Sequence, residues 1–505
     1  MLSRHETDRP SRRTVLTRRQ ALVAGGIALG AATLGPTLGA AALDTAGLDT
    51  EAGASRAGAA ATSLVATYRS RPDLHPPLVH LGGPEAGSPG GYVFLTSDGP
   101  MIVDSRGEPV WYRPVPNDAM NLQVQRYRGE PVLTWWQGTS FAGVGNVGEV
   151  VVLDSQYREV TRVSAADGLH TDFHDFVVAA DGIGYLTAYE EVTADLTAIG
   201  GPEQASMLEA WIQGIDMATG DVVFTWRSSD HISLSETFSG YAASQRYFTP
   251  VHLNSIDVLP DGNLLVSGRW TSTIYKIDRA TGTILWRLGG KKSDFVLGPG
   301  VHFAFQHHAR WHPGNVLSMF DNESAPPQAK QSRGLVLHVT EKKKLAGFVH
   351  AYTYPGTLLL SGSQGSVQLM GNGDAFVGWG SQPYFTQYRH EAKAILDGHL
   401  EKGTSYRAFR LPWTGSPSEP PAIAVGRRGG NALRVYASWN GATEVARWSV
   451  VGGSTRETLS GLGAAARSGF ETAIDISAPS DVHFVAVRAL ARSGHVLATS
   501  RVERR

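Results

Sequence analysis

The chain has no cysteine. That absence excludes disulfides, thiolate zinc sites, a cysteine nucleophile and a lipid-anchored bacterial N-terminus. A bound metal would have to rest on His, Asp, Glu or Asn. Net charge is also small, -1 over 505 residues, which removes any whole-chain electrostatic reason to expect nucleic acid or an anionic membrane as partner. Helical periodicity is scarce. Long apolar runs are missing too. The most apolar stretch, Ala21 to Leu34, is rich in Gly and Ala and falls short of the about 20 strongly apolar residues that a membrane span takes.

What is present is a globular composition, 42% apolar and 18% charged, on a chain longer than one ordinary domain needs. The N-terminus reads as an export signal over residues 1–42: basic residues, the apolar stretch, then small residues at Ala40 to Ala42 for cleavage. Two arginine pairs, Arg12-Arg13 and Arg18-Arg19, precede the apolar stretch and fit a twin-arginine signal. The mature protein is therefore expected outside the cytoplasm, with no stable membrane insertion. Residues 43–62, without apolar periodicity, read as a flexible lead-in.

From 63 to 410 short β-like runs alternate with turn dipeptides. One unit recurs: a strand ending in Asp, a tight turn, then a strand carrying Trp. It appears at Asp104 with Trp111, at Asp216 with Trp226 and at Asp278 with Trp286, with a weaker copy at Asp154. Intervals of about 50 to 62 residues suit one four-stranded sheet each, and the whole stretch predicts an all-β, six-bladed β-propeller. After Arg410 a Pro/Ser-rich linker, Gly415 to Pro421, leads into alternating strands. Residues 411–505 are expected to form a small immunoglobulin- or fibronectin-like β-sandwich, an accessory module that contacts the propeller, a surface or a partner.

Three segments bring histidine to the same place in the repeat, upstream of a turn that opens a new strand. They are His174-Asp175-Phe176, His252-Leu253-Asn254 and Gln306-His307-His308. Equivalent positions of successive blades face one central space. His252 and Asn254, two apart on an expected strand, are predicted to share a face, whereas only one of the adjacent His307 and His308 can point inward. Arg269 offers a permanent planar cation. The pair Trp135-Trp136 and Trp270 could line a slot for a flat aromatic ring, or simply pack between blades.

These segments, with Trp135-Trp136-Gln137-Gly138, Trp286-Arg287-Leu288-Gly289-Gly290 and Phe320-Asp321-Asn322, resemble the bacterial arylsulfotransferase family, in its actinomycete and fungal branch. The resemblance covers the whole propeller. It implies transfer of a sulfuryl group from a phenolic sulfate ester to a phenol acceptor, without a nucleotide donor, a cofactor or a metal, through a sulfated histidine. By match to the family's Gln-His segment, His307 is the expected nucleophile. Arg269 would face the sulfuryl oxygens; of His252 and Asn254 one would protonate the leaving phenolate and the other hold a sulfuryl oxygen, and His174 would act as a second acid/base or as an oxygen donor. The family's late-blade Lys-Thr pair does not align here, which leaves a position of its site unassigned. Two other readings remain open on the residues alone: a zinc site on His174, His252 and His307 with hydrolase-type activity, which the Arg269 cation disfavours, and a secreted propeller that only binds.

Overall fold

The recurrent Asp closes the same hairpin in four successive antiparallel meanders. Oδ1 of Asp104 accepts the backbone N–H groups of Arg106 and Glu108. Asp154 does so for Gln156 and Arg158, Asp216 for Ala218 and Thr219, and Asp278 for Ala280 and Thr281. A short carboxylate reaching its own chain two to four residues on is what makes Asp a turn residue. The partner turn, between the first and second strands, uses Gly182 and Gly262 at φ 86 and 85. A side chain there would be strained.

The computed structural model describes residues 64–87, 90–140 and 146–505. The export signal at 1–42 and the lead-in at 43–62 lie outside them. Within the described residues the chain forms antiparallel meanders in sequence order. The first comprises Tyr92–Thr96, Pro100–Val103 and Pro109–Tyr112, and the second runs from Asp118–Tyr127 through Glu130–Thr139 and Val147–Leu153 to Glu159–Val163. The third starts at His170–Val178 and ends at Val222–Arg227; a single pair, Gly148 opposite Thr171, merges it with the second into one eight-stranded sheet. The fourth holds Leu253–Val258, Leu264–Gly268, Thr273–Ile277 and Ile284–Gly289. His307–His312, Val316–Asp321, Arg333–Thr340 and Leu345–Tyr352 make the fifth, and Ser366–Leu369, Ala375–Gly378, Tyr384–Tyr388 and Ala394–Leu400 the sixth.

Each neighbouring pair of meanders encloses its own apolar layer. Trp111 and Ile102 of the first pack on Leu133, Trp135 and Val151 of the second, and Trp226 packs with Leu253, Ile256 and Val266. Trp286 and Leu288 meet Leu317 and Leu335, and Phe320 and Val336 meet Val367 and Val377. The series returns on itself: Phe376, Phe385 and Leu396 of the sixth meander pack on Val93, Leu95 and Val103 of the first. Hydrogen bonding crosses that seam twice. Phe409–Leu411 adds a strand to Tyr92–Thr96, and Val79–Gly82 adds one to Ala394–Leu400.

Beyond Leu411 two further sheets face one core containing Val435, Trp448, Ile474, Val485 and Val487. They dock on the first meander through backbone-matched polar contacts. Asn440 accepts from Tyr112 N–H at 3.0 Å and donates to its carbonyl at 2.9 Å, and Gly441 N–H donates to the Val110 carbonyl.

A repeated irregularity matters most for chemistry. The first strand of the second, fourth and fifth meanders slips register, between Met120 and Gln123, Leu253 and Ser255, and His307 and Arg310. A left-handed residue sits in or beside each slip: Asn121 at φ 67, His252 at 55 and His308 at 53. Bulges of this kind re-aim side chains.

Candidate active site

Because of these bulges, side chains from the third, fourth and fifth meanders meet. His174 and His252 bring their Nε2 atoms to 3.0 Å, with rings edge to face. The other nitrogen of His174, Nδ1, lies 2.6 Å from Oδ2 of Asp172, which also accepts from Thr187 Oγ1 and from the His174 backbone N–H. A carboxylate only accepts, so His174 Nδ1 carries a hydrogen and one proton is left between the two Nε2 atoms. Asp172, His174 and His252 thus form a buried relay.

His307 is fixed by a different partner. Asn322 donates through Nδ2 to the carbonyls of Ser361 and Gln364, both at 3.1 Å, which turns its Oδ1 toward His307 Nδ1 at 2.7 Å. Nδ1 must then be the donor, and Nε2 keeps its lone pair. Among the described residues only the Gln364 backbone N–H, at 3.2 Å, shares it. Burial first, and the Arg269 charge second, hold His307 well below the ordinary imidazole range. His252 is depressed in the same direction by burial, then by His174, Arg269 and His307. Both imidazoles are neutral near pH 7.

Arg269 is the unusual member. It is 3% exposed, yet among the described residues no carboxylate lies within 4.0 Å of it. One NH2 donates to the Gly362 carbonyl at 2.8 Å, and Nε meets no acceptor. The guanidinium lies 4.1 Å from the Trp270 ring centre and 5.9 Å from that of Phe305. Burial lowers its pKa to about 10, which leaves it a cation at neutral pH. A buried charge without a counter-charge costs stability, and its natural complement is an anion placed against Nε. Arg269→Met should therefore lower turnover by about 10²–10³-fold, the usual loss for a transition-state donor, while leaving the thermal midpoint unchanged or higher. A fall in midpoint with full activity would refute this.

The sequence expectation for His252 and Asn254 needs correction. His252 precedes the strand in a left-handed conformation, and the bulge falls between Leu253 and Ser255, so alternation does not put the two on one face. His252 reaches His174, whereas Asn254 Nδ2 donates to the Gln306 carbonyl at 2.7 Å and its Oδ1 is buried without a partner. Trp135 is likewise no slot wall: it is packed against Trp111 in the layer between the first two meanders. Trp136 lies nearer, with Phe173 and Tyr406, and Trp270 covers Arg269.

His307 and His308 take different partners across a bulge in which His308 is left-handed. His308 Nδ1 accepts from Val367 N–H at 3.2 Å, and its ring packs on Phe409. Behind the relay lies a fully buried ion pair. Arg407 donates to Asp175 at 2.8 Å, to Asn121, and to the carbonyls of His174 and Asn254. Burial would raise the Asp175 carboxyl, but Arg310 and Arg407 outweigh it and hold it at about 2. A groove of about 660 Å³ lined by Gln125, Val178, Arg310 and Trp413 includes none of the clustered residues. Trp270 and Gly362 to Gln364, which border the cluster, are only half-buried.

Buried imidazoles make the fold acid-sensitive. His252, His307 and His308 are held well below the usual imidazole value and His312 at about 4, burial being the first cause in each. Asp321, raised to about 7 by burial and then Glu323, works the other way. On unfolding below about pH 6.5 the four imidazoles take up protons and outweigh that one carboxyl. The unfolded state then binds more protons, and stability falls with pH at about 1.4 kcal/mol per unit for each net proton. Urea midpoints should be lower at pH 5.5 than at pH 7.5; an equal or higher value at 5.5 would contradict the assignment of neutral buried imidazoles.

Reasoning from sequence missed Asp172, Gln364 and Tyr406, and gave Asn322 no role. Asp172 had a local signal, two residues before His174. Asn322 stood in a motif already singled out. Tyr406 had none: its ring packs on Phe173 and lies 5.8 Å from His174, and its buried hydroxyl has no partner.

Fold and site together define an all-β protein of consecutive antiparallel meanders with a buried imidazole–guanidinium centre. The chain belongs to the arylsulfotransferase (ASST) family, whose model matches residues 123–401. All of His174, His252, Asn254, Arg269 and His307 fall inside that match. No curated protein matches the chain. Similar solved structures include a protein of unknown function from Bacteroides caccae, 12% identical with TM-score 0.37 over 63% of this chain and 98% of that one. Another, from Dyadobacter fermentans, is 10% identical with TM-score 0.37 over 64% of this chain and 90% of that one.

Proposed function

We propose that this protein transfers a sulfuryl group from an aryl sulfate ester to a phenol through an N-sulfo adduct on His307. The observation that carries the proposal is the Asn322–His307 hydrogen bond, which fixes the tautomer with a lone pair on Nε2, in a neutral imidazole beside an uncompensated Arg269. Nε2 attacks sulfur and the S–O bond pair leaves with the phenolate, which takes its proton from water. The imidazolium so formed keeps Nδ1–H on Asn322, and Arg269 faces the sulfuryl oxygens. In the second half the acceptor phenol gives its proton to the neutral His174–His252 pair, its oxygen attacks sulfur, and the N–S bond pair goes back to Nε2. Gln364 N–H has to yield as sulfur approaches.

Aromatic surfaces of Trp270, Phe305 and Phe173 around the polar groups suit a flat ring. A zinc ion on the same imidazoles would have to share the centre with the Arg269 cation, and a purely binding scaffold gives no reason to bury an unpaired arginine. In place of a Lys-Thr pair in the last repeat, that part of the chain brings the Tyr406 ring to 5.8 Å from that of His174. We read the meanders of residues 63–410 as the six blades of a propeller, residues 411–505 as an immunoglobulin- or fibronectin-like accessory sandwich, and residues 1–42 as a twin-arginine signal for export. The test is intact-protein mass spectrometry after mixing the mature protein with an aryl sulfate. A sulfuryl adduct that disappears on adding phenol supports the reading; no adduct and no phenol release across several aryl sulfates overturns it.

A further inference from the structure

We infer a second site, for a divalent late first-row transition metal such as zinc, outside the histidine–arginine cluster: the exposed edge of a strand pair carrying His80 and His399, with Glu401 beside it. Val79–Gly82 pairs antiparallel with Ala394–Leu400, and His80 stands directly opposite His399 in that register. Their rings stack with centroids 4.9 Å apart and planes 24° from parallel. Glu401 follows directly after the end of the Ala394–Leu400 strand, its backbone N–H donating to the Leu78 carbonyl at 2.9 Å. Its Oε2 lies 2.9 Å from His80 Nε2 and 3.9 Å from His399 Nε2. One ligand atom from each of the three residues thus falls within 4.8 Å of the others.

Donors of a tetrahedral zinc, at about 2.0–2.1 Å from the metal, stand about 3.3 Å from one another, and the two distances to Glu401 bracket that value. Two imidazole nitrogens and one carboxylate oxygen select zinc, copper or nickel over calcium and magnesium, which prefer oxygen alone. Among the described residues no Lys or Arg lies within 4.0 Å of Glu401. The side chains are 52%, 44% and 34% exposed, so an ion enters without opening the fold, and its fourth position faces water.

Such an ion would staple the strand that precedes the first meander to the last strand of the sixth. The unfolded chain keeps only the near pair His399 and Glu401. Zinc would therefore bind the native state preferentially and stabilise it by mass action.

The test uses tag-free mature protein stripped with EDTA and titrated with zinc chloride by calorimetry, with thermal midpoints read in parallel. One zinc per chain is expected, with a midpoint that rises with zinc. Affinity should fall by more than the about 10–100-fold that even an outer partner's loss costs, both in His80→Ala and in His399→Ala. Both positions are solvent-facing, and equal midpoints of parent and variants without zinc would establish that the variants fold. Copper bound to the parent should show nitrogen hyperfine coupling by electron paramagnetic resonance, reduced in either variant. Zinc affinity unchanged in both variants, or a parent midpoint indifferent to zinc, overturns the site.

Discussion

His307→Ala is expected to release phenol from an aryl sulfate no faster than background, a loss of about 10⁴-fold or more, and to form no sulfuryl adduct. Removing the nucleophile of a covalent mechanism takes away both half-reactions at once, so its partners add nothing on their own. His308→Ala is the discriminating control. Its imidazole packs on Phe409 and accepts from Val367, so that variant should keep its turnover and lose stability. Were the two phenotypes exchanged, the sulfur would travel through the other histidine; were both variants fully active, no imidazole of this pair would be the nucleophile.

The largest effect on stability is expected at Arg407. Its side chain and that of Asp175 are both 0% exposed, and it ties together the second, third and fourth meanders through Asn121, Asp175, His174 and Asn254. Arg407→Met leaves the buried Asp175 carboxylate with Arg310 as its remaining cation and takes a donor from the carbonyls of His174 and Asn254. Breaking a buried pair by deleting one partner costs about 3–5 kcal/mol. Urea unfolding should show a midpoint reduced accordingly, and Asp175→Leu in the same chain should recover part of the loss, because it removes the stranded charge. A midpoint within experimental scatter of the parent would mean that water or Arg310 replaces Arg407.

How much of this was legible in the sequence follows the range of each interaction. The Asp turns and their Trp partners could be read because an Asp carboxylate bonds its own chain within four residues and leaves a mark at fixed spacing. His174, His252, Arg269 and His307 could be gathered because repeats put like positions together. Direction could not be read. A single left-handed residue, His252, cancels the alternation that placed Asn254 beside it. Arg407 and Tyr406 were invisible for another reason: their partners lie some 150 to 290 residues away, and nothing in the local pattern distinguishes them from ordinary strand residues.

The two exchanged strands at the seam have a consequence for how the protein is made. Tyr92–Thr96 waits for Phe409–Leu411, and Ala394–Leu400 is covered by Val79–Gly82. During synthesis the first meander must therefore stand with an unpaired border, its Val93, Phe94 and Leu95 already apolar and dry in the finished fold, until more than 300 further residues have been added. An open border of that kind accepts any extended chain that comes near. Chains that stop before Phe409 will consequently seek one another and precipitate, and activity will appear all at once with the last strand.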